Sequence, residues 1–150
     1  MIQAIHASHN GRLYKVELQG TGDIADLVRE HRLETVTAQL ITTVFWFTPA
    51  THSSHTQLNR RATELLLATT TFTARQVPLL RGNVVITGIN ANGHPARLTD
   101  PQLHYLAGVE PNARDLWILS RRYTRDHRAQ RRAARATQDH HMDAITRPWT

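Results

Sequence analysis

The hydrophobic and polar positions of this chain change period several times, and each change marks an element. Met1 to Ser8 and Leu13 to Leu18 read as two short strands, the second with the period of two of a half-buried strand over Leu-Tyr-Lys-Val-Glu-Leu. His9-Asn10-Gly11 lies between them, and Asn-Gly is the dipeptide that tight hairpins favour. Gly20 to Asp23 breaks the second strand. Asp23 then predicts an N-cap for a helix from Ile24 to about His31, with Ile24, Leu27 and Val28 on one face. Thr35 to Thr48 is rich in β-branched and aromatic residues, which predicts one long strand or a tight pair, ended by Pro49.

The second half is punctuated by helix caps. Thr51 to Thr56 reads as a polar loop, after which Asn59 is placed to cap a helix over Arg60 to Ala68 that buries Ala62, Leu65 and Leu66. Gly82 to Gly88 carries Val84-Val85-Ile86 without a polar interruption, the pattern of an interior strand covered on both faces. Asn90 to Gly93 supplies a turn. Thr99-Asp100-Pro101 starts a helix, with Thr99 or Asp100 as its cap, that covers Leu103 to Ala107 and stops at Gly108. Asn112 caps a longer one from near Ala113, with Trp117, Ile118, Leu119 and Tyr123 as its apolar anchors. The last ten residues read as a loose tail. The expected fold is α+β: a small mixed or antiparallel sheet, two or three short helices and a longer basic C-terminal helix. The expected division is a core domain over 1–111 and an arginine-rich helical extension and tail over 112–150.

Composition narrows the chemistry. The 150 residues suffice for one domain with a real core, and cysteine is absent, which excludes disulfides, thiol nucleophiles and cysteine-ligated metals. No apolar run is long enough to span a membrane and the start lacks the pattern of a signal peptide, so the expected location is cytoplasmic. The net charge of +6 is unevenly spread: residues 1–111 hold nine basic and eight acidic side chains, and residues 112–150 hold nine arginines against four aspartates.

Leu58-Asn59-Arg60-Arg61-Ala62-Thr63-Glu64-Leu65-Leu66, then Leu79-Leu80-Arg81-Gly82-Asn83-Val84-Val85-Ile86-Thr87-Gly88, then a turn and the Leu98-Thr99-Asp100 helix start, resemble a small uncharacterised family of actinobacterial phages, plasmids and other mobile elements. That family has an Asn-Arg-x-Ala-Thr helix before a Gly-x-Val-Val-x-Thr-Gly strand, and the resemblance covers roughly residues 1 to 108. It implies a mobile-element accessory protein in a bacterial host, acting on host machinery. It carries no catalytic residues to transfer. Where the family has a glycine-rich turn after its first helix, this chain has Glu30-His31-Arg32.

The strongest functional candidate is the C-terminal helix. At 100° per residue, Arg121, Arg125, Arg128, Arg132 and Arg135 fall within an arc of about 80°, flanked by Arg122 and Arg131. Like charges at this spacing repel, and only Asp126 lies among them, so the face gains stability on meeting an anion. Nucleic acid is one partner that fits, and an acidic protein surface or bare solvent are the others. A protein–protein inhibitor or assembly subunit is the alternative function. Arg60, Arg61 and Arg81 form a secondary basic group. Phe45-Trp46-Phe47 reads as core unless the strand is uncovered on one side, in which case it offers an interface to a partner or a second copy.

Other chemistry is thinly supported. His52 with His55, and His140-His141 beside Asp139 and Asp143, make no four-ligand metal set. Ser53-Ser54-His55 is adjacency in sequence, not a triad. Gly20-Thr21-Gly22-Asp23 lacks the later glycine and lysine of a phosphate loop. The sequence therefore predicts no catalytic residue, metal or cofactor.

Overall fold

The structure, a computed structural model, describes residues 2–29, 32–49 and 57–146, with the backbone alone at residue 137 and over 139–146. Among the described residues six strands and four helices follow in the order β1 Ile2–Ala7, β2 Leu13–Leu18, α1 Thr21–Val28, β3 Glu34–Ala38, β4 Thr43–Phe47, α2 Arg60–Thr69, β5 Val84–Ile89, β6 Pro95–Ala96, α3 Asp100–Gly108 and α4 Ala113–Thr146. The class is α+β. The sheet runs β2-β1-β5-β4-β3 with β6 paired to β5, and every pairing is antiparallel.

β5 sits at the centre, which is why its sequence is apolar without alternation. Val84 and Ile86 pack into the larger core, beneath Leu65, Leu66, Leu106 and Leu119 from α2, α3 and α4. Val85 turns to the opposite face and joins Ala4, Leu18, Ile24 and Val28 under α1. A strand buried on both sides has no polar face to show. Gly88 continues β5 where β6 crosses close by: a Cβ there would lie 2.9 Å from the Arg97 carbonyl oxygen.

The β-rich stretch before Pro49 resolves as the tight pair. β3 and β4 are a hairpin with Ala38 opposite Thr43, joined by Gln39–Thr42, where Thr42 takes a left-handed conformation at φ 54°. The first hairpin closes as the Asn10-Gly11 dipeptide predicts, with Gly11 at φ 88° and Asn10 Oδ1 accepting from Arg12 N at 3.0 Å.

Asn59 holds α2 to the sheet. It is fully buried, its Oδ1 accepts from Ala62 N at 3.1 Å, and its Nδ2 donates to the carbonyls of Ala7 and Gly82, each at 2.8 Å. One side chain thus caps a helix and satisfies two strand ends. Thr99 caps α3 in a reciprocal box with Gln102, whose Nε2 also donates to Ile41 O at 2.7 Å. Asn112 caps α4 by accepting from Asp115 N at 2.8 Å.

Three expectations need correction. α1 begins at Thr21, before Asp23, and ends at Val28, where Arg29 turns left-handed. Asp23 lies in its first turn, where a carboxylate favours the positive helix end, and Oδ2 accepts from Gln19 N at 2.7 Å instead of capping from outside. α4 does not give way to a tail after His140 as far as Thr146, since its backbone stays helical to there, and residues 147–150 of the expected tail lie outside the described residues. Trp117 does not anchor α4: it is 59% exposed, while Leu119 and Tyr123 are buried.

Candidate nucleic-acid interface

The inner and outer faces of α4 follow from one helical wheel. With Arg121 at zero, Leu119, Tyr123, Asp126 and Gln130 fall within about 40° of the opposite direction. Leu119 and Tyr123 enter the larger core, so the arginine row opposite them points away from the sheet. Arg121, Arg125, Arg128, Arg131, Arg132 and Arg135 are all exposed, and from 131 to 136 every side chain is. From Arg121 to Arg135 the row is about 21 Å long.

Asp126 is engaged elsewhere. Both of its carboxylate oxygens take bonds from the Arg81 guanidinium at the start of the central strand's approach, one of them at 3.1 Å. The sole acid between Arg121 and Arg135 is therefore paired with a cation from outside the helix, which also clamps α4 to the domain.

Arg122 stands apart from the row. Its Nη1 donates to Ala74 O at 2.7 Å, and burial lowers its pKa from the ordinary arginine value without threatening its charge. That bond holds the loop before β5 against α4 and sets the exposed Arg75 beside the helix. Arg75, Arg121, Arg122 and Arg125, with Trp117 and Ile118, line a depression of about 350 Å³. A second depression of about 270 Å³ lies along Trp117, Ser120, Arg121, Thr124, Arg125 and Arg128. Trp117, Arg121 and Arg125 belong to both, and the Arg121 guanidinium carbon sits 5.0 Å from the centre of the indole ring.

The remaining candidates are placed as follows. Arg60 lies over the Tyr123 ring at 5.0 Å, and Arg61 donates to Val109 O at 3.2 Å and Ala107 O at 3.4 Å, at the carbonyl end of α3. Arg60, Arg61 and Arg81 thus each make an intramolecular contact, two of them with side chains one turn apart on α4. Phe45 is fully buried and packs with Phe47 against the larger core, whereas Trp46 faces the smaller one and donates from Nε1 to Thr87 Oγ1 at 3.0 Å. Both faces of β4 are covered, so these three aromatics form no common surface. Ser53, Ser54, His52 and His55 lie outside the described residues, as do the side chains of Asp139, His140, His141 and Asp143. No group of three metal-ligating side chains occurs among the described residues, and no described helix is long and apolar enough to cross a membrane.

Two participants escaped the sequence reading. Trp117 sits one turn before Arg121 and falls inside the same 80° arc, so the wheel that found the arginines also contains it. Its apolar character argued for the core and hid that position. Arg75 carries no local signal, because the Arg122–Ala74 bond that brings it to α4 spans 48 residues. Comparison with protein-family models, with curated proteins and with solved structures finds no match to this chain.

Proposed function

We propose that this chain is an accessory binding protein that contacts nucleic acid, bare or within a host complex, through the exposed arginine face of α4. The observation that carries this reading is a row of six exposed arginines whose one intervening acid is already paired with Arg81. Arginines held at a helical repeat repel one another, and phosphates remove that repulsion while releasing condensed counterions. The alanines and glutamine among them offer little to base edges, so occupation is electrostatic and weakly sequence-dependent. The resemblance to a family of phages and plasmids supplies a setting, the cytoplasm of a bacterial host.

The test is fluorescence anisotropy with a labelled oligothymidine and a mixed-sequence duplex between about 50 and 200 mM salt. Log affinity should fall linearly with log salt. Replacing Arg128, Arg131, Arg132 and Arg135 by alanine should make that slope shallower by about 3, at 0.7 to 0.9 per phosphate contact. Absence of binding to either probe at the lowest salt overturns the reading, and the acidic protein surface then becomes the partner to seek.

A further inference from the structure

An isolated exposed tryptophan needs no ligand to explain it. Trp117 is not isolated. It stands where two basic depressions meet, at the domain end of the arginine row, with Arg121 already over its ring and 59% of its surface still open. The groove beside it is also built: Arg122 fixes the far wall by its bond to Ala74 O, and Arg75 projects from that wall toward the same space.

Resting on the nucleic-acid reading, we infer that Trp117 and the Arg75–Arg125 groove form a stacking site for an unpaired base, so that the preferred ligand is single-stranded. An indole flanked by guanidinium groups offers a planar surface for a base and cations for the phosphates on either side of it. A duplex presents phosphates to the arginine row equally well, but its bases are stacked on one another and only their edges are accessible. A single strand tracking the row toward the domain delivers a free base at Trp117. The depression, about 350 Å³, lies at the small end of ligand-sized pockets, suited to one nucleotide.

The experiment compares the full chain with Trp117→Ala and Trp117→Phe, each against the oligothymidine and the duplex at one low salt concentration. Because the indole is mostly exposed, thermal unfolding of both variants should match the parent chain. Trp117→Ala should weaken oligothymidine binding about tenfold and leave duplex binding within about twofold, and Trp117→Phe should recover most of the loss. Equal effects on both probes, or no effect on either, overturn the stacking site while leaving the nucleic-acid reading in place. If the parent chain binds neither probe, that reading fails and takes this inference with it.

Discussion

Glu64 lies in α2 one turn after Arg60 and Arg61 and near Tyr123 of α4, and its surroundings act on it in opposite directions. Burial raises its pKa above the ordinary 4.5, Arg61 pulls it back, Glu110 adds to the rise and Arg60 lowers it again, with burial the largest influence. The folded chain therefore holds this proton more tightly than the unfolded chain does. The group favours folding most below pH 4.5, and that advantage is lost as pH rises through the raised folded value. Glu64→Gln removes the buried anion. Urea midpoints of the variant and parent should coincide below pH 4.5 and separate above it, with the variant the more stable at pH 7. A variant that is less stable at pH 7 would mean that Arg60 and Arg61 outweigh burial. The same neighbourhood holds Tyr123, whose phenol is pushed well above its ordinary value by burial and by Glu64, which keeps it neutral in the core. The row's arginines likewise differ by neighbour: Arg122 is spent on Ala74 O, whereas Arg128 and its successors face solvent.

Elements whose signals are local were legible in the sequence, and elements set by distant contacts were not. The caps at Asn59 and Asn112 work within one helical turn, so residue type and spacing sufficed, and at Thr99-Asp100 they narrowed the choice to two. The interior position of β5 was readable because a strand sandwiched by helices drops its polar alternation. α1 was placed late because Asp23 can serve a helix either as cap or in its first turn, and the bond to Gln19 N decides between them. The docking of α4 was invisible, since Arg81 and Asp126 are 45 residues apart. That pair is two-pronged and mostly buried, with side-chain exposures of 28% and 16%, so it belongs near the upper end for partly exposed ion pairs. A double-mutant cycle with Arg81→Ala and Asp126→Ala, read by urea unfolding, should return a coupling of about 1 kcal/mol. A coupling near zero would mean that α4 is held by the packing of Leu119 and Tyr123 and by the Arg122–Ala74 bond without help from this pair.

At the scale of the whole molecule, α4 belongs to the core and to the basic arm at once. Its first turns close the larger core, with Leu119 and Tyr123 packed among side chains of α2, α3 and the sheet, and its later turns carry arginines with no apolar face to bury. A cut at the expected division near Pro111 therefore removes core, and a cut beyond the Asp126 clamp removes only arm. Losing Leu119 and Tyr123 together costs about 5 kcal/mol or more, comparable with the entire stability of a domain of this size. A chain ending at Glu110 should accordingly fail to fold, with a broad or absent urea transition and poor dispersion of its amide signals. A chain ending at Gln130 keeps Leu119, Tyr123 and Asp126 and should unfold within about 0.5 kcal/mol of the full chain. It should also bind nucleic acid with a shallower salt slope, having lost Arg131, Arg132 and Arg135. A cooperatively folded chain ending at Glu110 would show that α4 is an appended arm, and the rigid placement of Trp117 beside Arg75 would lose its structural basis. Collapse at Glu110 with an intact fold at Gln130 would fix the arginine row to the core through one continuous helix, which is what a defined groove at its base requires.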